Sequence, residues 1–94
     1  MRVAIVEDDT AYAQRLLLYL RRFSQENQIK INHGIFGDGR ELITSYCHGW
    51  DLILMDIEMP LLDGLSAAHQ IRDIDCEVQI IFITSMAQYA INGY

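Results

Sequence analysis

The sequence predicts one α/β domain, built as an open parallel sheet with helices on both faces. Three observations support this prediction. Short continuous apolar runs alternate with segments whose apolar residues recur at helical spacing. Strands covered on both faces are apolar at successive positions, as these runs are. Ninety-four residues suffice for one core, so we expect one domain over residues 1–94, with right-handed crossovers between its strands.

Three of the apolar runs predict buried strands, and each ends at a polar side chain. They are residues 3–6, which precede Glu7, Asp8 and Asp9; residues 51–55, which precede Asp56; and residues 78–83, which precede Thr84. A fourth run, residues 29–36, alternates between apolar and polar positions and is therefore predicted to lie nearer an edge of the sheet.

The segment after the first strand predicts a helix with one apolar face. That face holds Ala13, Leu16, Leu17 and Leu20. Thr10 is the predicted N-cap, and Arg21 and Arg22 are predicted to complement the C-terminal dipole.

Two further helices are indicated by capping residues ahead of apolar periodicity. Asp38 with Glu41 resembles a capping box, and Asp63 is placed to cap the next helix. The inner face of that helix is predicted to hold Ala67, Ala68, Ile71 and Ile74. Residues 86–94 begin another helical pattern.

Composition excludes several functional classes. Thirteen acidic against seven basic residues give a net charge of -6, which opposes binding of nucleic acid or anionic lipid by this chain. No apolar run approaches the roughly 18 residues of a membrane span, so we expect no membrane association and a cytoplasmic location. Cys47 and Cys76 form no CxxC motif and are predicted to be reduced, packed thiols.

The acids that follow the strands predict a functional site. Ligands of open α/β sheets bind at the carboxyl ends of the strands, where Glu7, Asp8, Asp56 and Thr84 would converge. Two carboxylates about 4 Å apart repel by about 4 kcal/mol at an effective dielectric of 20. Either one acid is protonated or a cation neutralises them. An all-oxygen environment suits Mg²⁺, which makes phosphoryl chemistry the natural hypothesis.

Three segments together resemble the receiver domain of bacterial two-component response regulators. They are "IVEDD", "DLILMDIEMPLLDG" and "IIFITS", in this order and spacing. The resemblance implies that Asp56 is the phosphoacceptor and that Asp8 and Asp56 bind Mg²⁺ through their carboxylates. It also implies that the main-chain carbonyl of Glu58 is a ligand, that Glu7 completes the acidic pair, and that the Thr84 hydroxyl donates to the phosphoryl group.

The resemblance further implies a flavodoxin-like fold with strand order 2-1-3-4-5. The sequence ends at Tyr94, before a fifth strand, its helix and the lysine that pairs with the phosphoryl group in the family, so we expect an incomplete domain. The apolar fourth strand would then form an edge, which predicts self-association or poor solubility of these 94 residues alone. A homodimer is also expected. "DIEMP" and "ITSMAQYAINGY" resemble receivers attached to LytTR-type DNA-binding domains.

The implied role is a switch in transcription regulation, not an enzyme. The expected partner is a sensor histidine kinase, and DNA would be contacted only through a C-terminal domain absent from this chain.

Two alternatives remain open. A degenerate receiver could serve as a dimerisation module without phosphorylation. A haloacid-dehalogenase-like phosphatase also has a nucleophilic aspartate strand followed by a Thr/Ser strand. That family requires a second aspartate two residues after the nucleophile, where Glu58 stands, and places its acidic pair later than Glu7 and Asp8.

Overall fold

Strands and helices alternate along the residues that the computed structural model describes, which are 1–57 and 63–83. In chain order they are β1 (Arg2–Val6), α1 (Thr10–Asn27), β2 (Asn32–Phe36), α2 (Gly39–Thr44), β3 (Leu52–Asp56), α3 (Gly64–Ile74) and β4 (Gln79–Ile83). The α/β prediction is confirmed. The helical pattern predicted for residues 86–94 lies outside the described residues.

The four strands form one parallel sheet in the order β2-β1-β3-β4. This order agrees with the flavodoxin-like arrangement that the sequence resemblance implies. The register pairs Val6 of β1 with Met55 of β3. Because parallel strands end at the same edge of a sheet, Glu7 follows β1 beside Asp56, the last residue of β3.

The sheet is covered on both faces, which explains the continuous apolar runs. On one face, α2 and α3 pack Leu42, Ala67 and Ile71 against β1 and β3. On the other, α1 packs Ala13 and Leu17 against Ile5. All of β1 beyond its first residue is therefore buried, whereas alternate residues of β3 are only half-buried.

Helix α1 differs from the prediction at both ends. Asp9, not Thr10, is the N-cap, because the Asp9 carboxylate accepts a hydrogen bond from the Tyr12 N–H at 3.2 Å. The helix continues to Asn27, so Arg21 and Arg22 do not lie in its last turn. The helix runs past the apolar face seen in the sequence and is capped at its end by Gln28, whose left-handed backbone lets its N–H donate to the Ser24 carbonyl.

The other two predicted caps are confirmed. The Asp38 carboxylate accepts from the Glu41 N–H at 2.8 Å, and the Asp63 carboxylate accepts from the Ser66 N–H at 2.8 Å. The inner face of α3 holds Ala67 and Ile71, both fully buried. The prediction for Ile74 is wrong, since the helix ends there and the side chain is 45% exposed.

Two smaller predictions also need correction. The second strand covers Asn32–Phe36, not residues 29–36, because Ile29 and Lys30 belong to the connection after α1. Cys47 and Cys76 are free, as expected, but both are exposed and not packed, since they lie on loops outside the core. No helix within residues 1–57 and 63–83 combines the length and apolar character needed to cross a bilayer.

Candidate functional site

Three carboxylates meet at the carboxyl end of the sheet. Oxygen atoms of Glu7, Asp8 and Asp56 all lie within 4.8 Å of one another, and no other cluster of this kind occurs in the part of the chain that the structure describes. Glu7 is buried, Asp56 is half-buried and Asp8 is exposed. The cluster therefore opens to solvent on the Asp8 side, where a ligand can approach.

Hydrogen bonds hold Glu7 and Asp9 in place in the segment after β1. The Glu7 N–H donates to the Phe36 carbonyl at 3.0 Å, which extends the pairing of β1 with β2. The Asp9 N–H donates to Glu7 Oε1 at 3.1 Å, while the Asp9 carboxylate caps α1. The turn from β1 into α1 thus orients Glu7 inward and leaves Asp8 at the rim.

Glu7 has a raised pKa in this cluster. Burial, opposed in part by the hydrogen bond from the Asp9 N–H, raises the pKa of Glu7 to about 7. The negative charge of Asp56, a hydrogen bond to Asp8 and the charge of Asp8 are smaller contributions to the same rise in pKa. A carboxylate with this pKa is half protonated near neutral pH, so a cation bound here would displace a proton.

The donor set fits a hard divalent cation. All three side chains offer carboxylate oxygens, the ligands that Mg²⁺ prefers. Oxygens on opposite sides of a Mg²⁺ ion lie about 4 Å apart, from bonds of about 2.1 Å. The oxygens of the three carboxylates lie within 4.8 Å of one another, so one such ion could contact all three. A bound cation would also offset the negative charges of Asp56 and Asp8, which contribute, after burial, to the raised pKa of Glu7.

The N-terminus of α3 packs directly on the backbone that carries Asp56. The Gly64 N–H donates to the Ile57 carbonyl at 2.8 Å. A Cβ atom on Gly64 would overlap the carbonyl oxygen of Asp56. This contact is not among the features that the sequence pattern predicts. A glycine at the first position of a helix that already has an aspartate cap was the available signal, since glycine there lowers helix propensity and needs a packing reason.

The structure brings together three of the five predicted site residues, namely Glu7, Asp8 and Asp56. Glu58 and Thr84 lie outside the described residues, and their predicted roles stay predictions.

Comparisons with known proteins agree on one family. The family model for the response regulator receiver domain matches residues 3–93. Two-component response regulator 24 of Arabidopsis thaliana is 33% identical over 86 residues, which cover 89% of this chain and 58% of that protein. The transcriptional regulatory protein YpdB of Escherichia coli K12 is 32% identical over 95 residues, which cover the whole chain and 37% of that protein.

Solved structures give the same result. The receiver domain of the sensor histidine kinase PA1611 from Pseudomonas aeruginosa, with a magnesium ion coordinated in its active-site cleft, has a TM-score of 0.77 and 29% identity, and covers 92% of this chain and 68% of that one. The response regulator TrrA from Thermotoga maritima, in complex with Mg²⁺ and BeF, has a TM-score of 0.71 and 27% identity. The match covers 98% of this chain and 76% of that one.

This chain spans little more than half of the plant relative and about a third of YpdB. The family match itself covers nearly all of the chain, and the observed strand order and acidic cluster agree with it. Because the matching family is the receiver domain, the match argues against the haloacid-dehalogenase-like phosphatase. The chain belongs to the response regulator receiver domain family.

Proposed function

We propose that this chain is the phosphoacceptor module of a two-component system and that Asp56 accepts a phosphoryl group from a phosphohistidine on a sensor histidine kinase. The observation that carries the proposal is the meeting of Glu7, Asp8 and Asp56 within 4.8 Å at the carboxyl end of the sheet. The family match over residues 3–93 supports it.

In the proposed reaction, a carboxylate oxygen of Asp56 attacks the phosphorus atom. The bond between phosphorus and the imidazole nitrogen breaks, and that nitrogen leaves with its electron pair as the aspartyl phosphate forms. Asp56 is half-buried at the end of a strand whose position is fixed on both sides by β1 and β4. Such positioning, with charge neutralisation, supplies most of the catalysis in phosphoryl transfer.

The proposed metal is Mg²⁺, held by the Asp8 and Asp56 carboxylates and the main-chain carbonyl of Glu58, with Glu7 completing the acidic pair. When bound, Mg²⁺ offsets the negative charge of the carboxylates and of the incoming phosphoryl group. The solved receiver of PA1611 has a magnesium ion in its active-site cleft. Thr84 is proposed to donate its hydroxyl hydrogen to a phosphoryl oxygen.

The proposed output is control of transcription. YpdB, which is similar over the whole chain, is a transcriptional regulatory protein. We propose that residues 1–94 belong to the receiver domain of a cytoplasmic regulator, that DNA is bound by a C-terminal domain of the LytTR type, and that the regulator forms a homodimer. The acidic net charge of -6 is consistent with DNA contact through a different domain.

The direct experiment uses the native protein that contains this chain. The protein is incubated with acetyl phosphate and Mg²⁺ and its intact mass is measured. We expect one added phosphoryl group, which disappears in Asp56→Asn. The matched control is Asp38→Asn, because Asp38 caps α2, is not one of the three clustered carboxylates, and can be replaced by asparagine, which is an equally good cap. An adduct that persists in Asp56→Asn, or no adduct in the wild type, would overturn the proposal.

A second measurement separates the switch from a constitutive dimerisation module. Sedimentation of the same protein with and without beryllofluoride and Mg²⁺ should show a change in the dimer fraction, because a phosphate mimic binds the active arrangement preferentially. A dimer fraction that is the same in both conditions would favour the module that works without phosphorylation.

A further inference from the structure

The contact between Gly64 and the end of β3 is made by backbone atoms on both sides. A Cβ added to Gly64 would overlap the Asp56 carbonyl oxygen and lie 2.9 Å from Ile57 Cα and 3.0 Å from the Asp56 carbonyl carbon. Gly64 is itself buried, and its N–H donates to the Ile57 carbonyl at 2.8 Å. No side-chain rotation can relieve such a contact, so either β3 or α3 must move to admit a methyl group.

Glycine is needed at this position for space and not for backbone conformation. Among the described glycines only Gly49 has a positive φ, so the dihedral angles of Gly64 are open to any residue. Alanine would also favour the helix more than glycine does. The sequence therefore keeps a poor helix former at the start of α3 because α3 lies directly against the peptide that follows Asp56.

We propose that Gly64 is a positioning residue for Asp56, an inference that rests on the proposed function. By letting α3 pack on the Asp56–Ile57 peptide, Gly64 holds the Asp56 carboxylate within reach of Glu7 and Asp8. A methyl group would displace that peptide by on the order of 1 Å, since unstrained carbon–carbon contacts are about 3.5–4.0 Å. A displacement of this size can lower a reaction rate by about 100-fold.

The first test compares Gly64→Ala with the wild type at a temperature where both are folded. We expect the rate of Asp56 phosphorylation by acetyl phosphate to fall about 100-fold, and the dissociation constant for Mg²⁺, measured without any phosphodonor, to rise. Unchanged values for both in the folded variant would overturn the proposal, because a purely structural glycine alters stability and not the folded site.

The matched control is Gly49→Ala. Gly49 has φ +122°, so alanine there is strained, and its Cβ would meet the flexible end of Arg2. Gly49 precedes β3, whereas Asp56 ends it, so the two lie at opposite ends of the strand. Gly49→Ala should lower the melting temperature while leaving the phosphorylation rate and Mg²⁺ affinity at wild-type values. A comparable loss of rate in this control would show that lowered stability alone accounts for the effect.

A second measurement uses only the wild type, so it tests the coupling between Gly64 and Asp56 even if Gly64→Ala does not fold. Hydrogen exchange of the Gly64 N–H is followed by NMR in the wild type, with and without saturating Mg²⁺. If Gly64 couples to Asp56, exchange should slow by about 10-fold or more relative to the Asp75 N–H, which bonds to the Ile71 carbonyl at the far end of α3. Equal slowing of both amides, or none, would contradict the coupling.

These outcomes are distinguishable from failure of the proposed function. If the wild type takes no phosphoryl group on Asp56, the function itself is wrong. If the wild type is phosphorylated and Gly64→Ala reacts at the same rate, only the positioning role is wrong.

Discussion

The backbone N–H of Asp9 lies 3.1 Å from Glu7 Oε1, so the residue that caps α1 also holds one acid of the cluster. The two bonds use different parts of Asp9, since its carboxylate accepts from the Tyr12 N–H while its own N–H donates to Glu7. The start of α1 and the geometry of the acidic site are therefore set by the same turn.

The first prediction separates these two roles of Asp9. Asp9→Ala removes the cap and should lower the free energy of unfolding by about 1 kcal/mol, whereas Asp9→Asn, which keeps a capping oxygen, should change it by a few tenths. Both variants retain the N–H that bonds Glu7. Urea denaturation checks the difference, and equal stability of the two variants would show that the cap contributes nothing.

The second prediction concerns pH and follows from the pKa of Glu7, which is raised to about 7. Protons compete with Mg²⁺ for this carboxylate, so Mg²⁺ affinity should fall as pH decreases through 7. In the absence of metal the folded state binds a proton that the unfolded state releases near pH 4.5. Between these values stability should therefore decrease with rising pH, by on the order of 2 kcal/mol from this group.

The variant Glu7→Gln provides the control for this prediction. Without a titrating group at position 7, the melting temperature measured without metal should lose this part of its pH dependence between pH 4.5 and 7. The same pH dependence in wild type and Glu7→Gln would assign the effect to another residue.

The third prediction addresses the opposite end of the sheet. The Tyr46 hydroxyl donates to Asp75 Oδ2 at 2.8 Å, which joins the connection after α2 to the one after α3. This hydrogen bond is the largest cause of the lowered pKa of Asp75, and burial is the main cause of the raised pKa of Tyr46. Tyr46→Phe should lower the urea midpoint at neutral pH.

Because the pKa of Asp75 is lowered in the folded state, its stabilising effect is present above its ordinary value and is lost as pH falls through the folded value. The difference between Tyr46→Phe and wild type should therefore shrink in acid. The matched control is Tyr19→Phe, since Tyr19 is 61% exposed on α1. If Tyr19→Phe lowered stability as much as Tyr46→Phe does, the hydrogen bond to Asp75 would not explain the loss.

The fourth prediction concerns self-association. Strand β4 is the outer strand of the sheet formed by the described residues, and its Ile81 is 42% exposed. For residues 1–94 prepared alone, we expect concentration-dependent association in sedimentation experiments, reduced by Ile81→Lys because lysine on an edge strand opposes pairing. Ile74→Lys is the control, since Ile74 is similarly exposed but lies on α3. A monomer at high concentration would contradict the prediction.

Much of this fold could be predicted because the decisive signals are local. The runs before Glu7 and before Asp56 are apolar at successive positions, and that pattern has few alternatives to a parallel strand. Asp38 and Asp63 were correctly predicted as caps, since each precedes a helix with polar residues in its first turn. The meeting of the acids depended on the strand order, which the sequence resemblance implied.

The errors and omissions have physical causes of their own. Asp9 and Thr10 are both good caps, and which of them acts depends on how the turn after β1 places Glu7. Ile74 has helical spacing, yet the helix ends at that residue, so periodicity overestimates its burial. The role proposed for Gly64 depends on a contact between two backbone segments, which no pattern of side chains encodes.

The most direct test of the account is a Mg²⁺ titration followed by NMR, since the central claim is that Glu7, Asp8 and Asp56 share one divalent cation. In the wild type we expect one saturable set of amide shifts centred on Asp8, Asp9, Asp56 and Ile57. Asp8→Asn and Asp56→Asn should each weaken binding by at least about 10-fold, while Asp38→Asn should leave it unchanged. Shifts that saturate elsewhere, or an affinity unaffected by Asp8→Asn and Asp56→Asn, would contradict the claim.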